Sequence, residues 1–221
     1  MRGQLVNSAS SEFQMPAPAT HEPSLNGVKR EIILKHARRA FTTEGYAGAR
    51  IEPIARDAGV STATIYALFD GKEELFAAVI EDAAVEFTRL MGDVRTTSGP
   101  ARERLMGFAS TYAAFMADPF IRAVFRLVMA ERRRFHEVAL KFFDRGKADF
   151  GKVLIDALNE MAETGEIRFA RASWAAGQLM GMIEHPVFFM PLVTGDEVMP
   201  VRAVDQIASD AVETFLARYG V

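Results

Sequence analysis

Residues 58–75 read "AGVSTATIYALFDGKEEL". Gly59 supplies the positive φ that a tight turn needs, and Val60 is placed to plug the corner. Ser61 is a good N-cap, and Thr62 to Phe69 form a helix with Ile65, Leu68 and Phe69 on its inner face. The preceding run, Ile51 to Ala58, forms a short helix with Pro53 in its first turn, where no backbone N–H partner is lost. Ile54, Ala55 and Ala58 face inward. Two short helices joined by a glycine turn make a helix-turn-helix, whose second helix enters the major groove of DNA. The small hydroxyl residues at that helix start can then approach bases and phosphates without steric conflict. Ser61, Thr62 and Thr64 are the expected contacts, and Ala63 can touch a thymine methyl. Tyr66 lies one turn on, within reach of a phosphate. Lys72 opens the next helix, where its ammonium and the free N–H groups can clasp another. For Ser61 taken alone, plain helix capping is a sufficient account.

Outward from this stretch, residues 28–43 form a further helix, with Ile33, Ala37, Ala40 and Phe41 on one face. Gly45 stops it. Residues 1–26 are rich in proline and small polar residues and read as a flexible arm. Between Val28 and Lys72 eight Lys/Arg face five acids, whereas the whole chain of 221 residues has a net charge of −3. A basic N-terminal block on an acidic body suits a DNA reader with a separate regulatory part, although so small a local excess also arises by ordinary scatter. The chain has no cysteine, which removes disulfides, thiolate metal sites and cysteine nucleophiles. No run approaches the ~20 apolar residues of a membrane span. No signal peptide is apparent. The expected location is cytoplasmic, with no membrane partner.

From Ile33 to Ile80 the sequence "ILKHARRAFTTEGYAGARIEPIARDAGVSTATIYALFDGKEELFAAVI" resembles the tetracycline-repressor (TetR) family of bacterial transcriptional regulators. The matching elements are "AF…EGY", "IARDAGVS", "TIYALF" and "KEELF". A looser similarity, in "VFRLVMAERRRFHEVA", is to the AefR-like type of regulatory domain. The resemblance implies an all-α fold, a homodimer, and DNA-facing positions for Thr62, Thr64, Tyr66 and Lys72. It also sets Arg50 where the family commonly has Ser or Thr capping the second helix. An arginine cannot cap in that way, so a phosphate contact is its expected role.

The division expected is an arm (1–26), a helix-turn-helix DNA-binding domain (27–72) and a helical regulatory and dimerisation domain (73–221). Later helices fall near residues 72–91, 101–117, 119–133, 137–163, 172–189 and 201–219, with breaks at "TSGP" and Gly165. A stripe of Ser173, Gly177 and Gly181 allows close helix approach. With Ile207, Ala211 and Phe215 of the last helix it suggests a two-fold four-helix interface, the alternative being packing within one subunit. Phe87, Met91, Tyr112, Phe115, Met116, Phe125, Met129, Phe143, Trp174 and Gln178 are the candidates for a pocket taking a small apolar or aromatic effector. Phe150, Met180 and Met182 add to its apolar stock, and Glu184 and His185 to its polar anchors. His185 reads equally as a helix end before Pro186. The "ERRRF" run at 131–135 reads as a solvated face. No hydrolase elbow, zinc-protease motif or P-loop is present, and the four histidines lack ligand spacing. No catalysis, cofactor or metal is therefore expected. The function expected is a ligand-responsive repressor on a palindromic DNA operator. The alternative is a helical small-molecule-binding protein without specific DNA recognition.

Overall fold

The structure is a computed structural model that describes residues 25–90 and 99–221, and for 86–90 the backbone alone. Residues 1–24 of the expected arm, Met91 and the side chain of Phe87 lie outside what is described. The elements are α1 (Leu25–Gly48), α2 (Ile51–Asp57), α3 (Thr62–Leu68), α4 (Lys72–Leu90), α5 (Ala101–Ala117), α6 (Pro119–Glu131), α7 (His136–Gly146), α8 (Lys152–Glu163), α9 (Ala172–Glu184), α10 (Met190–Thr194) and α11 (Val204–Tyr219). Among the described residues the only β pairing is an isolated bridge between Ile167 and Gly220. The all-α expectation holds.

Local chemistry accounts for the breaks. Gly45 interrupts α1 with φ 71° and ψ 170°, values outside the helical region. After it the chain makes one more turn, which carries Tyr46 into the core. At the end of α2 the Gly59 N–H donates to the Arg56 carbonyl (3.1 Å) and the Val60 N–H to the Ala55 carbonyl (2.9 Å). That pair of bonds is a Schellman motif, and Gly59 takes the left-handed conformation (φ 67°) it requires. Asp118 caps α6 by accepting from the Phe120 N–H at 2.7 Å, with Pro119 in the first turn.

Two of the expected helices are longer or more broken than their sequence patterns indicate. The helix starting at residue 136 changes to π winding over Lys147–Gly151 before continuing as α8. The helix starting at 172 does the same over His185–Phe189, then runs on as α10. Pro186 sits in that second π turn. It has no N–H to offer the preceding turn, and a wider winding accommodates the gap. His185 is therefore mid-helix, not a helix end.

One continuous core runs through the chain. α1, α2, α3 and the first turns of α4 form the head, where Ile33, Phe41, Ile54, Ile65 and Leu75 are buried. α5 lies in the body against α11 and α9. Arg122 is buried to 1 % exposure. Its Nε donates to Asp196 at 2.6 Å and its Nη1 to the Ala117 carbonyl at 2.5 Å, so the buried charge is matched and bonded.

Head and body meet at an aromatic cluster. Phe76, 1 % exposed, lies edge-on to Phe41 (5.4 Å between centroids) and Tyr46 (5.2 Å). Phe135, from the turn between α6 and α7, stacks on Phe76 at 4.4 Å and meets Tyr46 at 4.9 Å. Arg134 sits over the Tyr46 ring at 4.6 Å and donates to Glu73 at 2.5 Å. Lys72 lies over the same ring, also at 4.6 Å. In the "ERRRF" run Arg132, Arg133 and Arg134 are exposed, as a solvated face requires, and the correction concerns Phe135 alone, which is the body's plug in the head. Phe76→Ala should cost about 3–5 kcal/mol of stability and Phe135→Ala, half-buried, about 2 kcal/mol. Denaturant unfolding measures both, and a loss below about 0.5 kcal/mol for Phe135→Ala would mean that the plug carries no load.

Candidate nucleic-acid interface and effector cavity

The helix-turn-helix presents the start of α3 outward. Ser61 adopts an extended N-cap conformation, and its Oγ accepts from the Thr64 N–H at 3.1 Å. The same oxygen lies 2.9 Å from the Thr64 hydroxyl. Those two side chains are therefore bonded to each other, which organises the helix start. Thr62 is half-buried and Ala63 exposed, and Tyr66 is 55 % exposed on the next turn. Ile65 points the other way and is fully buried. Arg50 takes the extended N-cap position of α2 and makes no side-chain cap bond, as its chemistry demands. Lys72 departs from the free phosphate clasp expected of it: its Nζ donates to the Ala47 carbonyl at 3.3 Å while resting on Tyr46. Burial, foremost, raises the Tyr46 pKa, so at neutral pH the ring Lys72 rests on is an uncharged phenol.

The body holds an apolar cavity of about 300 Å³ between α5, α6, α7, the first π turn and α9. Of the expected pocket residues, Tyr112, Phe115, Met116, Phe125 and Phe143 line it. Phe150, Met180 and Glu184 join them. Three expectations fail. Met129 (45 % exposed) and Trp174 (68 %) are on the surface, away from the cavity. Gln178 is exposed on α9, where it accepts from the Tyr219 hydroxyl. In each case the residue type suits a pocket but its helical phase points elsewhere. Phe142, Arg145, Asp149 and the glycines at 146 and 151 were missed, although they form the α7 wall. Phe142 and Phe150 are eight residues apart, a same-face spacing in a regular helix, and Phe150 lies within the π winding over Lys147–Gly151.

The cavity's polar groups are arranged in pairs. Arg145 Nε donates to Asp149 Oδ2 at 3.0 Å, and Asp149 is 5 % exposed. The Tyr112 hydroxyl donates to Glu184. Burial first, then the Glu184 charge, pushes the Tyr112 pKa far up, so the phenol keeps its proton and remains a donor.

A second face is open. Ser173, Gly177 and Gly181 are exposed along α9, and a side chain added at either glycine would meet nothing within 4 Å. Ile207, Ala211 and Phe215, expected to meet a partner, are instead core residues at 7 %, 4 % and 1 % exposure. The apolar stripe of α11 faces α5 and α9 in its own subunit. The outer row beside the glycines is Thr214 and Arg218.

Among the described residues no cluster of His, Asp or Glu is arranged to hold a metal ion, and no helix is long and apolar enough to cross a membrane. Residues 33–79 match the family model for bacterial regulatory proteins of the tetR family. Residues 103–221, more than half of the chain, match that of the AefR-like transcriptional repressor C-terminal domain. The chain belongs to the TetR family. The uncharacterized HTH-type transcriptional regulator YhgD of Bacillus subtilis (strain 168) is 25% identical over 156 residues, 71% of this chain and 72% of that relative. A crystal structure assigned to the TetR family from Mesorhizobium loti MAFF303099 superposes with a TM-score of 0.77 at 25% identity, covering 90% of this chain and 100% of that one. The flavonoid-responsive regulator FrrA superposes with a TM-score of 0.66 at 26% identity, covering 88% and 98%. This TetR-family regulator thus combines the expected DNA-binding head with an AefR-like body.

Removing the Ser61 cap tests how the reading helix is held. Ser61→Ala should cost about 1 kcal/mol of stability, the usual worth of an N-cap. Chemical unfolding reads it, and an unchanged midpoint would show that the Thr64 N–H finds another acceptor.

Proposed function

We propose that this chain is a one-component, ligand-responsive repressor without catalytic activity. It acts in the cytoplasm as a homodimer on a palindromic operator. Residues 27–72 form the DNA-binding unit and 73–221 the regulatory unit, with α4 a strut shared between them. Two copies of α3 enter successive major grooves about 34 Å apart. Thr62, Ala63 and Thr64 approach bases, while Arg50, Ser61, Tyr66 and Lys72 meet the backbone. Lys72 leaves the Ala47 carbonyl to do so. The open α9 face around Ser173, Gly177 and Gly181 is the two-fold contact, underlain by Ile207, Ala211 and Phe215.

The observation that carries the reading is the path of α7. One end follows Phe135, which stacks on Phe76 of the head's core, and Arg134, which lies exposed over the Tyr46 ring. The other end forms the cavity wall through Phe142, Phe143 and Arg145. A small apolar or aromatic effector that binds better when this wall is displaced shifts the head spacing, and only such differential affinity can release DNA. That FrrA is a flavonoid-responsive regulator agrees with an aromatic effector.

Two measurements test the DNA reading. Thr62→Ala should cost about 1–3 kcal/mol on the operator and much less on random DNA. Lys72→Ala should weaken both alike and lower the salt slope by about one. Footprinting the DNA beside the gene supplies the operator. A chain that shows no protected site there would instead be a helical ligand-binding protein.

The assembly has its own test. Gly181→Leu adds bulk where the single subunit has open space, so the monomer should fold normally. In a two-fold seam the added group is met twice, at about 1–3 kcal/mol each. Sedimentation should show monomers, and operator affinity should fall with the lost linkage of two heads. A Gly181→Leu protein that stays dimeric would move the interface elsewhere.

A further inference from the structure

We infer that the cavity selects an effector with a positively charged group on an apolar body, and that Glu184 is the residue that recognises the charge. The inference rests on the effector-cavity reading above and adds the sign of the ligand's charge.

Four charged side chains line the cavity: Arg145, Lys147, Asp149 and Glu184. Arg145 and Asp149 are matched to each other at 3.0 Å. Lys147 is exposed. Glu184 is half-buried, and its partner is the neutral Tyr112 hydroxyl. No cationic side chain among the described residues pairs with it. An ionised carboxylate offers about four acceptor positions, and one phenol fills one of them. A carboxylate against apolar walls is costly unless its charge is met. Among the described residues no cation meets that charge, and a ligand cation would.

The remaining walls favour the same sign. Phe115 and Phe150 lie 4.7 Å apart, and Phe150 and Tyr112 5.3 Å apart, at tilted angles, and all three line the cavity. Phe125 and Phe142 make an edge contact at 4.9 Å. Aromatic faces carry negative potential and attract ammonium groups, most strongly where water is displaced. A quaternary ammonium needs no hydrogen-bond acceptors, so carboxylate and rings together satisfy it. A ligand carboxylate at the same depth would meet Glu184 with like charge. Its place would be beside exposed Lys147.

Three probes of matched length separate the alternatives: phenylbutyltrimethylammonium, phenylbutanol and phenylpentanoate. Calorimetric titration of the full chain should find the cation at least about tenfold tighter than the alcohol, with the carboxylate weakest. Glu184→Gln keeps an acceptor for Tyr112 and should erase the cation's advantage while leaving the alcohol unchanged. Tyr112→Phe, which removes the phenol and leaves the charge, should retain the preference and guards against a folding artefact at Glu184. An alcohol as tight as the cation, or an unaffected Glu184→Gln, overturns the charge assignment but leaves an effector cavity. A carboxylate that binds tightest overturns it also and shifts recognition to Lys147. Failure of all three probes to bind removes the cavity reading and this inference with it.

Discussion

Phe135 stacked on Phe76 is the contact on which the working of this chain depends. It joins two units of opposite chemistry, a basic reading head and an acidic body. α1 adds a second contact to the body, where Arg38 lies over the Phe120 ring at 4.6 Å. Tyr46 stands beside the pair with two cations over its ring, Lys72 from the head's own α4 and Arg134 from the body. Ring stacking gives the joint its apolar area, and the cations give it orientation. The Arg134–Glu73 ion pair is exposed and contributes little energy by itself. Its role is to hold the guanidinium over the ring.

On the proposed mechanism, the joint also sets what a ligand in the cavity would move. α7 is short, eleven residues, and spans from the plug to the cavity. A rigid helix of that length transmits displacement with little loss. At its far end the π turn, flanked by glycines at 146 and 151, is a softer segment because glycine weakens helical winding. The firm end faces the head and the pliable end faces the cavity. That order suits a wall that yields to a ligand and passes the shift on.

The two faces of α9 divide the body's tasks. Its buried residues, Ala175, Leu179 and Ile183, hold the core. Its glycines lie open on the opposite side. Glu184 closes the same helix at the cavity. A single helix therefore borders the ligand site and the proposed two-fold seam, which lets assembly and ligand occupancy influence each other.

The head was legible in the sequence because its determinants are local. Gly59, Ser61 and the spacing of Ile54, Ala55 and Ile65 act within one or two turns, and backbone sterics and capping specify the result without help from distant residues. The same holds for the α5 limits, set by Pro100 and the Asp118–Pro119 pair. The body's sites were legible only in part. Composition indicates aromatic and methionine stock for a cavity, yet Trp174 and Met129 have the same chemistry as Phe115 and end on the surface. Helical phase decides that, and the π turns at 147–151 and 185–189 reset the phase through backbone bonds that residue spacing does not reveal. Ile207, Ala211 and Phe215 form an apolar stripe that any partner helix could cover. Whether that partner belongs to the same subunit is a matter of tertiary packing, and here α5 takes the place. The plug is the clearest case. "RRRF" has the composition of a solvated turn and its arginines are exposed, yet Phe135 becomes the joint between head and body because folding brings Tyr46 and Phe76 to it from some sixty to ninety residues away. Local chemistry determines the elements, and long-range packing decides which of their faces meet.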